Sequence, residues 1–244
     1  MRSDKRSLGW WAAVVSASAL SVFVHGCGTA IVAAPTQEPS RPLPAGSCTE
    51  ARNQVAQVRG RVTVAGAAGR DLPKISITAF DGTDLRVTTA DADGSYCVPL
   101  ARSTEGTFVS VFATAPETVP QVRNVRIPPR GPETKVPEAS VPPMVLERAR
   151  IRDQGHLIGV AYIKVTGGRP VWRDGILSYD PRLDISIRGR QTSKIRTDES
   201  GAFVVPLAPG TYEVLTGRNV LEKVEVTRGA TTIRPVFSGE RTVS

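Results

Sequence analysis

The sequence predicts an all-β protein: two tandem seven-stranded antiparallel β-sandwich domains behind a signal peptide and a proline-rich tether. An internal repeat is the first observation. Asp91-Ala92-Asp93-Gly94-Ser95-Tyr96-Cys97-Val98-Pro99-Leu100 aligns without a gap on Asp198-Glu199-Ser200-Gly201-Ala202-Phe203-Val204-Val205-Pro206-Leu207, at an offset of 107 (198 − 91). The shared Asp, Gly, Val, Pro and Leu mark one supersecondary unit used twice. Composition is the second: 22 Gly and 19 Pro punctuate a chain with only 5% aromatics and many Val, Ile and Thr, the profile of short strands joined by turns. The third is periodicity. Apolar residues alternate with polar ones at period two, and helical spacing is absent from both halves.

Residues 1–26 read as a signal peptide. Arg2, Lys5 and Arg6 precede an uncharged, mostly apolar run from Trp10 to Val24. Those 15 residues would span only ~22 Å as a helix, short of the ~30 Å hydrocarbon core. An export signal fits better than a permanent span. Its end, Val24-His25-Gly26-Cys27, resembles a bacterial lipobox, in which the cysteine carries the lipid; Val24 and Gly26 fit and His25 departs. Ordinary cleavage near Val32-Ala33-Ala34 is the alternative, disfavoured by Pro35. Gly28 after the cysteine, in place of aspartate, points to the outer membrane, on its periplasmic or surface face.

Residues 27–56 form the tether. Pro35, Pro39, Pro42 and Pro44 stand among small polar residues, and such chain is extended and semi-rigid, reaching at most ~60–85 Å from the bilayer.

Domain 1 covers 57–147. Val58, Val62 and Val64 share a strand face with Gly60. Ile75, Ile77 and Ala79 make a second strand, and Asp81-Gly82 a hairpin turn. Leu85 and Val87, then Tyr96, Val98 and Leu100, then Phe108 to Thr114 and Val122 to Ile127 follow. The strap 128–143 holds six prolines, which exclude a central strand; Met144 to Leu146 can form a last edge strand. Domain 2 covers 148–240. Leu157 to Val165 opens it, a long loop fills Gly167 to Arg182, and strands follow around Ile185 and Ile187, Ile195, Phe203 to Leu207, Tyr212 and Val214, Val224 and Val226, and Ile233 to Phe237.

Thr197, Gly201, Phe203 and Val205 are followed by Leu207-Ala208-Pro209-Gly210-Thr211-Tyr212. This pattern resembles the carboxypeptidase regulatory-like domain, a transthyretin-like sandwich related to collagen-adhesin B-type repeats. Repeat 1 shows Gly60-Arg61-Val62, Thr89, Gly94, Tyr96 and Val98, with Glu105-Gly106-Thr107-Phe108 in place of the Pro-Gly-x-Tyr ending. The resemblance implies the fold. It implies no activity, because such modules accompany many unrelated proteins.

Catalytic chemistry is not expected. The zinc peptidases that carry this module need two histidines and a glutamate on the metal, whereas this chain has only His25 and His156. His156 precedes a strand and lies outside any nucleophile elbow. Asp91-Ala92-Asp93-Gly94 resembles half a calcium loop, but Arg102 stands at the twelfth position. We therefore expect no metal, no cofactor and no enzyme. The net charge of +8 falls to about +6 without residues 1–26 (28 basic against 22 acidic). The bases are scattered singly, so nucleic acid is not an expected partner.

Three cysteines remain to be placed. With Cys27 lipidated, Cys48 and Cys97 form an even pair in an oxidising compartment; they are either bridged or two free thiols. The spacing from first-strand glycine to motif glycine is 34 residues in repeat 1 (94 − 60) and 42 in repeat 2 (201 − 159). The extra eight fall in the loop that carries Arg169, Trp172, Arg173 and Tyr179. Trp, Tyr and Arg dominate interface hot spots, so this loop is the candidate site for an envelope protein or glycan; alternatively Trp172 plugs the sandwich end. The sequence thus points to a lipid-anchored, non-catalytic envelope module, or to a scaffold subunit of a secretion, transport or adhesion apparatus.

Overall fold

The computed structural model describes residues 56–67, 72–100, 106–128, 136–151, 153–167, 176–217 and 219–243. The expected signal peptide, Cys27, Cys48 and nearly all of the tether lie outside the described residues. No helix occurs among the described residues.

The first repeat comprises β1 (Ala56–Val64), β2 (Ser76–Phe80), β3 (Leu85–Thr89), β4 (Ser95–Leu100), β5 (Phe108–Thr114), β6 (Gln121–Arg126), β7 (Glu138–Ser140) and β8 (Met144–Leu146). One sheet runs β4-β1-β7, with β8 also on β1; the facing sheet runs β3-β2-β5-β6. Strand alternation sorts the side chains as the period-two pattern requires. Tyr96, Val98 and Leu100 of β4 are buried, with Val58 and Val62 of β1, Ile77 of β2 and Val109 and Val111 of β5 in the same cluster.

The second repeat comprises β9 (Gly155–Gly167), β10 (Ile176–Tyr179), β11 (Asp184–Arg188), β12 (Thr192–Arg196), β13 (Ala202–Leu207), β14 (Gly210–Thr216), β15 (Asn219–Val226), β16 (Thr231–Ile233) and β17 (Val236–Val243). Its sheets run β10-β9-β13, with β16 and β17 on β9, and β12-β11-β14-β15. Leu157, Phe203, Val205, Leu207, Ile185, Ile187 and Val214 fill the space between them.

Three features depart from the sequence reading. The described residues form eight strands in the first repeat and nine in the second, against seven expected in each, because the returning strand is broken in two at proline and the second repeat adds β10. The sandwiches are not purely antiparallel: β7 and β8 run parallel to β1, and β16 and β17 parallel to β9. The chain changes sheets after β6 and after β15, so the last strand enters beside the first from the end where the first begins. Prolines 137, 142 and 143 confine that return in repeat 1 to two three-residue stretches at the sheet edge. The third departure is β10. The stretch 167–182, read as loop, contains a strand paired with β9 from Ile176↔Val165 to Tyr179↔Tyr162.

The repeated motif closes the same way twice. The Gly94 N–H donates to Asp91 O (2.9 Å) and the Gly201 N–H to Asp198 O (3.0 Å). Their carbonyls accept from Val62 N (2.9 Å) and Ala161 N (2.8 Å) on the first strands. Both glycines have positive φ, 83° and 75°, and a Cβ would fall 2.0 Å from Val62 O or 2.7 Å from Ala161 O. Only glycine fits. The turn carboxylates are spent on the turn itself. Asp198 Oδ1 accepts from Ser200 N, Ser200 Oγ and Ala202 N (2.8, 2.7 and 2.9 Å). In repeat 1, Asp93 does this for Ser95 N and Oγ, and the Ser95 N–H bond holds its carboxyl below the usual range.

Across from the turn an aromatic ring covers a glycine. Gly60 pairs with Tyr96 and Gly159 with Phe203. A Cβ on Gly60 would fall 2.3 Å from the Tyr96 hydroxyl, and one on Gly159 2.5 Å from Phe203 Cζ. Phe203 is buried while Val204, one residue on, is 38% exposed. Phe203→Ala should therefore cost about 3–5 kcal/mol through the cavity it leaves, and Val204→Ala visibly less. Equal losses in denaturant melts would place the strand in the wrong phase. Tyr96 differs from Phe203 by a hydroxyl that is buried with no hydrogen-bond partner among the described residues, and burial raises its pKa. Tyr96→Phe removes that cost and should leave stability unchanged or raise it by about 1 kcal/mol; clear destabilisation would reveal a partner for the hydroxyl.

Candidate functional site

The face of β2 and β5 that points away from the first core carries large apolar side chains. Phe80 and Phe112 are buried there, with Leu85 and Val122 partly so. Ile158 and Val160 of β9 cover them, joined by Tyr162, Tyr179 and Ile233 of the second repeat. Phe112, Ile158 and Val160 are all at 0% exposure, so the centre of the seam excludes water, with partly buried side chains around it.

The eight-residue difference between the repeats falls in the segment that contains β10, and this strand is part of the seam. The Leu177 side chain lies over Gly82 of the β2–β3 turn, where a Cβ would be 1.7 Å from Leu177 Cδ1. Gly82 has φ 94°, so both the turn and the close approach require glycine. The Tyr179 ring packs on Phe108 at 4.8 Å between centroids. Ser110 Oγ lies 3.4 Å from the Tyr179 hydroxyl, and burial raises the Tyr179 pKa. Tyr162 packs at tilted angles between Phe80 (5.2 Å between centroids) and Phe237 (5.5 Å). Beyond β10, Asp180 accepts from Ser238 Oγ (2.6 Å) on β17, and its N–H donates to Ala161 O (2.9 Å). Asn124 of β6 donates to the Ser200 carbonyl in the second repeat's turn.

Among the residues singled out from the sequence, Tyr179 is thus engaged inside the chain, against the first sandwich. Arg169, Trp172 and Arg173 lie outside the described residues. Cys97, on β4 opposite Arg59, is disulfide-bonded; Cys27 and Cys48 lie outside the described residues. His156 is buried on β9 opposite Pro206. Burial lowers its pKa, and among the described residues no hydrogen bond reaches its ring. No group of three or more His, Cys, Asp or Glu among the described residues is placed to hold a metal.

An open crevice of about 560 Å³ lies between β6 of the first sandwich and β12–β13 of the second, with Val122, Ile195, Phe203 and Val204 against Arg123 and Arg196. Arg196 is already committed to Asp184 by two bonds of 2.7 and 3.0 Å. That pairing holds the exposed Asp184 carboxyl below its usual range.

Sequence reasoning missed the seam, yet a signal was present. Phe108-Val109-Ser110-Val111-Phe112-Ala113 is apolar at nearly every position, which marks a strand buried on both faces. The seam predicts shared unfolding. Calorimetry should give one transition for the two sandwiches. Phe112→Ala should lower stability by about 3–5 kcal/mol and split that transition in two. A wild-type chain that already melts in two independent steps would refute the coupling.

No protein-family model matches the chain, and no curated protein matches it. Among solved structures it is similar to the Bacillus anthracis TIE protein, at 13% identity over 77% of this chain and 34% of that one, with a TM-score of 0.27. It is similar to GBS52, the minor pilin of Streptococcus agalactiae, at 10% identity over 75% and 95% of the two chains (TM-score 0.24). It is also similar to hydroxyquinol 1,2-dioxygenase from Pseudomonas putida DLL-E4, at 14% identity over 46% and 63% (TM-score 0.30). The chain therefore spans about a third of the first protein and under two thirds of the dioxygenase. At TM-scores this low, nothing about activity or partners passes from them to this chain. What it is rests on its own strands: an all-β protein of two packed sandwiches.

Proposed function

We propose that this chain is an exported, lipid-anchored module of the bacterial cell envelope, non-catalytic, whose two sandwiches belong with the carboxypeptidase regulatory-like domains. The observation that carries the reading is Val24-His25-Gly26-Cys27 at the end of a charged and then apolar leader. A proline-rich spacer follows it at once, the arrangement expected of a folded head held off a bilayer. The turn aspartates are occupied by their own backbones, and the one histidine after the leader is buried, which supports a structural or binding role over catalysis. A protein or glycan partner would meet the loop that carries Arg169, Trp172 and Arg173.

The seam favours one variant of this reading, a scaffold subunit of a larger envelope assembly. Two sandwiches joined by an apolar contact suit a spacer or strut better than a pair of independently reaching binding heads.

The anchor is tested directly. Cys27→Ala should abolish incorporation of labelled fatty acid and move the chain from the detergent phase to the aqueous phase. A variant that still partitions with membranes like the parent chain would overturn the lipid-anchored reading.

A further inference from the structure

We infer that each sandwich is built to withstand tension along the chain, with its first and last strands acting as a shear clamp. The geometry is the same twice. In repeat 2, β9 opens the domain and β16 and β17 close it, and both lie parallel to β9. Parallel strands begin at the same end. A pull on the chain before β9 therefore draws β9 one way along its axis, and a pull after β17 draws β17 the opposite way. The bonds between them are loaded sideways and together. An antiparallel closing strand would have put both pulling points at one end, where bonds open singly from the edge.

The clamp in repeat 2 is long. It runs from Thr231↔His156 to Ile233↔Ile158, and after Pro235 from Val236↔Ala161 to Val243↔Gly167. Backbone bonds join the two stretches: His156 N to Ala230 O (2.9 Å) and Arg234 N to Ile158 O (2.8 Å). Side chains add to it. Ser238 Oγ, which donates to Asp180, lies 3.2 Å from Tyr162 O, and the Thr166 and Thr242 hydroxyls lie 3.3 Å apart. On its other side β9 is held by β13 and β10, so the strand that takes the pull is the centre of its sheet.

Repeat 1 makes the same clamp from different residues. Gln57 N donates to Pro137 O (2.9 Å), Val141 N to Arg59 O (2.7 Å) and Ala65 N to Leu146 O (2.9 Å), tying β7 and β8 along β1. Arg59 and Glu138 pair across it at 3.0 Å. Both repeats break the returning strand at proline and then resume it beside the first strand. The inference concerns how the fold carries a load and does not rest on the lipid anchor.

Single-molecule pulling on the full chain tests it, with bioorthogonal handles that load the same two strands in two directions. Handles at Ile151 and beyond Val243 shear β17 against β9. Handles at Thr166 and beyond Val243 pull the pair apart from its Thr166↔Thr242 end. Should the Thr166 handle prevent folding, one at Lys164, opposite Glu240, opens the same pair. The first geometry leaves domain 1 out of the load path, so the force peak belongs to domain 2. The shear geometry should unfold at a force at least about twofold higher than the peeling one, because its bonds must fail together. Equal forces, or a weaker shear geometry, would overturn the inference.

Discussion

The fold depends on one contact made twice: an aromatic ring laid over a glycine on the neighbouring strand. Tyr96 covers Gly60 and Phe203 covers Gly159. The glycine leaves a gap in the face of the first strand that the ring fills, and the ring fixes the register of β4 or β13 against it. The turn that precedes the ring bonds back to that same first strand through the carbonyl of Gly94 or Gly201. Register, turn and core are thus set by neighbouring parts of one ten-residue sentence. A residue with a side chain at Gly159 would meet both Phe203 and the Arg234 carbonyl, so the same position also holds the returning strand close.

Much of this was legible in the sequence because strand physics is local. Period two put Phe203, Val205 and Leu207 inside and Val204 outside, as the burial pattern has it. The gapless repeat announced that the turn would recur. The prolines of 128–143 announced an edge. Less legible was what depends on distant partners. Ile176-Leu177-Ser178-Tyr179 is too short to show a period, and it is strand only because Tyr162 to Val165 of β9 extend past β13 and leave bonds to satisfy. The parallel closing strands follow from where the chain changes sheets, which no local pattern encodes. Of the candidate site, the sequence located the segment that differs between the repeats. It could not tell that part of that segment turns inward, because an exposed and an interdomain tyrosine look alike until Phe108 and Ser110 are placed beside one.

The seam also explains the charge distribution. Several ion pairs stand at exposed positions: Arg182 with Glu199, Arg196 with Asp184, Arg188 with Glu213, Arg228 with Asp153, while Arg234 with Glu222 and Arg86 with Asp84 are half-buried. Exposed pairs contribute little individually. The buried centre of the seam, Phe80, Phe112, Ile158 and Val160, is wholly apolar, which is why removing one ring there matters more than removing a surface pair. Arg126 illustrates the boundary. Its guanidinium sits over the Phe108 ring at 5.3 Å, capping the seam where it meets water.

The asymmetry of β10 bears on how such a chain could have arisen and what it can no longer lose. A tandem duplication would begin with two interchangeable copies. Once one copy carries extra residues whose side chains rest on a glycine turn and a phenylalanine of the other, the copies are no longer equivalent. Excising the first would strand Leu177 and Tyr179 in water, and excising the second would uncover Phe80 and Phe112. Recombination between the two halves, the ordinary route by which repeats contract, would then yield a chain with an uncovered apolar face, so the pair is held at two by the same contact that joins it.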